Sequence, residues 1–79
     1  MPRAPQVELL TRDGCTLCAE AERTVERYCA ERGIDYALVD VDTDETLRRE
    51  FTDHVPVLKV DGEVRSYWFV DEETLARWV

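Results

Sequence analysis

The sequence predicts a single α/β domain over residues 1–79, with its elements in the order β-α-β-α-β-β-α. Three observations predict it. A long helical pattern from about Thr16 to Arg32 lies between two short apolar runs, the arrangement of a right-handed βαβ crossover with parallel strands. Asp61-Gly62 separates two further short runs, which is a strong two-residue hairpin signal. A chain of 79 residues, 44% of them hydrophobic, has material for one modest core.

Val7-Glu8-Leu9-Leu10-Thr11 reads as a buried strand ended by the turn residues Arg12-Asp13-Gly14. In the helix that follows, Leu17, Ala21, Val25, Tyr28 and Cys29 recur at steps of three and four and form an apolar stripe. Glu20, Arg23, Arg27 and Glu31 take the charged side, and Gly33 stands where a helix C-cap glycine belongs. Tyr36-Ala37-Leu38-Val39-Asp40-Val41 is short and rich in strand-forming residues. Asp42, Thr43 and Asp44 offer N-caps for a short helix burying Leu47 and Phe51. Val57–Val60 and Glu63–Ser66 are the hairpin strands. Asp71 can cap a last helix, with Glu72 and Glu73 in its first turn and Leu75, Trp78 and Val79 as its buried face. Trp68 and Phe69 are expected to pack against that helix and not to form a docking patch.

The chain carries 18 acidic and 10 basic residues, a formal charge of −8. Such an excess repels phosphate backbones and anionic lipid, so nucleic-acid and membrane-surface roles are disfavoured. No stretch approaches the roughly 20 apolar residues of a membrane span. The start, Met1 to Pro5, leads into a short apolar run unlike a signal-peptide core, so the expected location is the cytoplasm. Three cysteines are too few, and oddly counted, for a secreted disulfide scaffold; in a reducing compartment a lone C-x-x-C reads as a redox or metal site.

Cys15-Thr16-Leu17-Cys18 lies where the first strand meets the long helix. Unpaired backbone N–H groups and the positive end of the helix dipole stabilise thiolate over thiol there, which makes Cys15 the expected nucleophile. Cys18 is one turn later on the same side, at a spacing of about 5 Å that a disulfide can bridge, and is expected to be the more buried, resolving thiol. Arg12, three residues before Cys15, has two readings: a local positive charge favouring the thiolate, or a solvated loop residue. Zinc is the rival use of the dithiol, but a structural site wants four ligands. Cys29 lies about 16.5 Å further along the helix, and reads as a buried inert thiol. His54 alone does not complete a set, so a zinc site could close only across a dimer. Pro56 opens the third strand, where a missing N–H is tolerated, and base rate alone makes it trans.

The first strand, Thr11-Arg12-Asp13-Gly14-Cys15-Thr16-Leu17-Cys18, the long helix, His54-Val55-Pro56 and Asp61-Gly62 together resemble the glutaredoxin-like members of the thioredoxin superfamily, from Val7 to Val79. The resemblance implies a thioredoxin-like (glutaredoxin-type) fold: a four-stranded mixed sheet in the order 2-1-3-4, flanked by three helices. It implies a cis Pro56 beside the dithiol and a Val55 backbone that pairs with an extended peptide or glutathione as a short added strand. It also places Arg12 against a glutathione carboxylate and gives a substrate- or glutathione-binding set of Arg12, Thr16, Leu17, Val55, Pro56 and Asp71. His54 takes a position often held by Thr, near the dithiol; it either tunes a thiol or contacts substrate, or is a solvated residue at the end of a short helix, the second being favoured.

The chain differs from the common glutaredoxin pattern in two places. Thr16-Leu17 replaces Pro-Tyr between the cysteines, and Ser66-Tyr67-Trp68-Phe69-Val70-Asp71 replaces an open Gly-Gly pair and its acidic neighbour. The function implied is a small dithiol thiol-disulfide oxidoreductase acting on protein or low-molecular-weight disulfides. It has no bound cofactor and acts as a monomer, with glutathione or another low-molecular-weight thiol as co-substrate. Two alternatives stay open: a thioredoxin-like electron donor reduced by thioredoxin reductase, and a non-enzymatic metal, iron–sulfur or partner-binding module on the same fold.

Overall fold

Strand β1 (Val7–Thr11) runs through the centre of a four-stranded sheet of order β2-β1-β3-β4. The structure is a computed structural model that describes residues 5–79; residues 1–4 of the single domain read from the sequence lie outside the described residues. Helix α1 (Thr16–Arg32) carries the chain from β1 to the parallel strand β2 (Tyr36–Asp40), with Val7 opposite Tyr36 and Thr11 opposite Asp40. A 3₁₀ turn at Val41–Thr43 leads into helix α2 (Glu45–Phe51). The antiparallel strands β3 (Val57–Val60) and β4 (Glu63–Tyr67) and helix α3 (Glu72–Trp78) complete the chain. The element order is the one read from the sequence, and the fold is thioredoxin-like.

Alternation along the central strands divides the core between the two faces of the sheet. Val7, Leu9, Leu58 and Val60 point to the face covered by α1 and α3, where they meet Val25, Tyr28 and Leu75. Leu10 and Val57 point to the other face and pack with Val41, Phe51, Val55 and the Cys18 side chain. The two cysteines thus stand at the margin of this second cluster, Cys15 partly buried against it.

Local chemistry sets the boundaries. Gly33 adopts a left-handed φ of 65° and ends α1, its amide and that of Ile34 returning to the carbonyls of Ala30 and Cys29. The Asp44 carboxylate accepts from the amides of Thr46 and Leu47 and caps α2. Asp61 and Gly62 both have positive φ, the signature of a type I′ turn whose twist matches the hairpin strands. Asp61 also ties that turn to the start of β1, exchanging backbone and side-chain hydrogen bonds with Gln6 at 2.9 Å.

Four side chains depart from the sequence expectations. Leu17, read as part of the helix stripe, is 36% exposed, because the stripe that buries starts at Cys18 and continues through Ala21 and Val25. Trp78 does not join the buried face of α3. Leu75 fills that place, while Trp78 stays half exposed under the Arg65 guanidinium, 3.8 Å from its ring centre. Trp68 and Phe69 do not pack on α3 either: Trp68 folds over the loop before β3, and Phe69 is 70% exposed.

Candidate functional site

Strand β1 ends at Thr11, and the turn Arg12-Asp13-Gly14 delivers the chain to α1. Gly14 has φ 73°, a conformation that side chains disfavour, and it reverses the chain so that Cys15 becomes the helix N-cap. Cys15 has extended backbone angles, and its Sγ accepts the Cys18 amide at 3.1 Å. A sulfur thus occupies the place a Ser or Asp oxygen usually takes at a helix start. No acidic residue sits in the first turn of α1 to compete for the positive end of the dipole.

The Cys15 and Cys18 sulfurs lie near disulfide distance, with Cα atoms 5.1 Å apart. Cys15 is partly exposed, whereas Cys18 is 3% exposed and packs in the cluster that contains Val55. The more accessible sulfur is therefore the first and the sheltered one the second. The Val55–Pro56 peptide bond is cis, and both residues are buried. Val55 shares its apolar cluster with Cys18 and Cys15, so these residues, distant in sequence, meet at one end of the sheet.

Arg12 is an exposed loop residue, and its side chain is engaged away from the cysteines. Its guanidinium reaches across to the end of α2 and donates to the Thr52 carbonyl at 3.3 Å and the Thr52 hydroxyl at 3.0 Å. With Asp13, Cys15, Glu22 and Asp40 it borders a small cleft on one side of the dithiol. Thr16 and Leu17 are exposed at the start of α1. Asp71 lies on the other side, where it shares a second cleft with Leu17. Its carboxylate caps α3 by accepting the Thr74 amide at 2.8 Å, a bond that holds the carboxyl below its usual range.

His54 is half-buried, not solvated. Its ring stacks on Trp68 with centres 5.7 Å apart and lies 5.3 Å from the ring of Tyr67; its buried Nδ1 has no partner among the described residues. Sequence reasoning missed the reason. Trp68 has φ 65°, rare for a bulky residue, and no sequence pattern marks such a conformation at a tryptophan. Its amide donates to the Pro56 carbonyl at 2.8 Å and its indole to the Asp53 carbonyl at 3.0 Å. Trp68 therefore clasps the segment that precedes β3.

Cys29 is 1% exposed in the core under α1, and burial pushes its thiol pKa up, with Arg32 opposing and Asp35 adding to the shift. It takes no part in the site. Among the described residues no three His, Cys, Asp or Glu side chains gather in a group that could hold a metal ion.

Residues 6–79 match the family model described as Glutaredoxin-like domain (DUF836). The chain belongs to this glutaredoxin-like family. Among its relatives, the uncharacterized protein Rv0508 of Mycobacterium tuberculosis is 43% identical over 76 residues, covering 90% of this chain and 78% of that protein. The uncharacterized protein Mb0520 of Mycobacterium bovis matches to the same extent. In solved structures the glutaredoxin-like chain is similar to protein Ne2328 from Nitrosomonas europaea, with a TM-score of 0.82 at 21% identity over 100% of this chain and 95% of that one. It is also similar to a mutant of the thioredoxin-like protein BC3987, with a TM-score of 0.62 at 20% identity over 92% and 97% of the two chains. At these identities the likeness is one of fold, and it bears out the thioredoxin-like architecture of this glutaredoxin-like domain.

Proposed function

We propose that this protein is a small thiol-disulfide oxidoreductase that uses Cys15 and Cys18 to reduce disulfides in a reducing cytoplasm. One observation carries the reading: the exposed sulfur caps the N-terminus of α1 while its sheltered partner waits one turn deeper. In the reduced enzyme the Cys15 thiolate attacks a substrate disulfide, forming a mixed disulfide and expelling one substrate thiolate. Cys18 loses its proton and attacks Cys15 Sγ, which forms the Cys15–Cys18 disulfide and releases the second substrate thiolate. Two electrons pass from the dithiol to the substrate, and protons from solvent complete its two thiols. Both sulfurs come from one helical turn, so a single chain suffices.

Thr16, Leu17, Val55, Pro56, Arg12 and Asp71 surround the point of attack and are the proposed substrate contacts. Val55, packed beside the dithiol, would offer its backbone to an extended substrate segment as an added strand. The oxidised pair is returned to the dithiol by glutathione or another low-molecular-weight thiol. A second route, through a thioredoxin reductase, is favoured by one feature: Tyr67, Trp68 and Phe69 are bulky and exposed where glutaredoxins commonly present an open Gly-Gly pair. NADPH consumption with glutathione and glutathione reductase, measured beside the same reaction with thioredoxin reductase, separates the routes. No disulfide reduction in either system, with the dithiol shown to be intact and reduced, overturns the proposed activity.

A further inference from the structure

Trp68 is the only aromatic residue among those described with a left-handed φ, and a bulky side chain persists there only when its surroundings over-determine it. The Pro56 carbonyl, the Asp53 carbonyl and the His54 ring supply that constraint. Its consequence lies in the next residue. With Trp68 folded back over the loop, Phe69 stands out in solvent at 70% exposure, facing the groove that Leu17 borders. Leu17, the apolar one of the two exposed residues between the cysteines, is 36% exposed.

This groove, about 300 Å³ in volume, runs from the start of α1 to the loop joining β4 and α3. Leu17, Ala21, Trp68 and Phe69 make its apolar walls, and its charged members, Glu20 and Asp71, are both acidic. The Thr74 amide holds Asp71 ionised, and the whole chain carries −8. A ligand with its own carboxylates meets like charge here, whereas a cation on an apolar segment finds both complements.

We propose that the groove docks an extended segment of a protein substrate bearing a large apolar side chain and a Lys or Arg beside its disulfide cysteine. The proposal rests on the oxidoreductase reading for its purpose but not for its binding test. On this account Phe69 and Leu17 receive the apolar side chain, Glu20 and Asp71 pair with the cation, and the cysteine is left over Cys15.

The test uses short peptides with Ala in place of the cysteine, flanked by Leu and Lys, by Leu and Glu, or by Ser and Lys, titrated while the amide signals of Leu17 and Phe69 are followed by NMR. The Leu/Lys peptide should bind about tenfold more tightly than either relative, and salt should erase its advantage over the Leu/Glu peptide. Glu20→Gln should weaken the charge preference, which Asp71 shares, and Phe69→Ser, at an exposed site, should weaken the apolar one, which Leu17 shares. Equal binding of the three peptides, or no shift with any, overturns the proposal. The disulfide forms of the same peptides are then offered to the reduced protein. Selective binding without reduction of any disulfide leaves the docking groove standing and removes the oxidoreductase, while reduction at equal rates with unselective binding does the reverse.

Discussion

The Cys18 amide donates to the Sγ of Cys15 at 3.1 Å, so the same short turn that starts α1 also holds the two sulfurs in contact. The helix cap and the cysteine pair are one structure. Reduction leaves the first sulfur against the same amide and dipole, and those favour its anion.

The two cysteines should therefore fail differently when replaced. Cys15→Ser abolishes turnover, since no other exposed thiol is available among the described residues. Cys18→Ser keeps the attack and loses the release, so a mixed disulfide on Cys15 accumulates. Intact-mass spectrometry after exposure to a disulfide substrate reads both outcomes. A Cys18→Ser protein that traps nothing contradicts the resolving role.

The third cysteine supplies a control. Cys29 is buried and its pKa is raised, chiefly by that burial. In the fully reduced native protein near neutral pH, two thiols should react quickly with an aromatic disulfide reagent and the third only after denaturant is added. Three equally fast thiols contradict the burial.

Trp68 makes a test of backbone strain. At an ordinary site Gly is less stable than Ala, but at φ 65° the order should invert, with Trp68→Gly more stable than Trp68→Ala by about 1 kcal/mol. Both should be less stable than the parent by about 1–2 kcal/mol, through loss of the indole bond to Asp53 and the stack on His54. Denaturant titration gives the order, and amide exchange across residues 53–57 should quicken in both variants.

Asp71 links the start of α3 to pH. Its folded pKa is lowered, first by the Thr74 amide, so its contribution is fully present above the ordinary carboxylate value near 3.8 and is lost as pH falls through the lower folded value. Asp71→Ala should cost about 1 kcal/mol at neutral pH, the usual loss of a helix N-cap. The gap between parent and variant should close in the acid limb of a stability-against-pH series. A gap unchanged down to the lowest pH contradicts the cap.

Much of this was legible in the residues. Apolar steps of three and four from Ala21 to Cys29, the C-cap at Gly33, the caps at Asp44 and Asp71 and the turn at Asp61-Gly62 are local rules, and each element they predict is present. The position of the dithiol followed from the same rules, since Gly14 ends the turn and the helix pattern starts immediately after Cys15. The errors lie where tertiary contacts decide. Hydrophobicity places Trp78 on the buried face of α3 and Phe69 against that helix, yet Leu75 and Val70 are the residues buried there and both rings stay exposed. The clasp of Trp68 over Asp53 and His54 joins residues fifteen apart through a conformation that sequence patterns do not signal. Arg12 bonding to Thr52 is likewise a meeting of two loop ends across 40 residues.

The most direct test of the account is the alkylation rate of Cys15 in the reduced protein as a function of pH, read by mass spectrometry of the peptide that contains it. A sulfur that caps α1 should give a midpoint at least about one unit below the ordinary thiol value near 8.5. A midpoint at or above that value contradicts the account, because the helix start would then not be holding the anion on which the proposed chemistry depends.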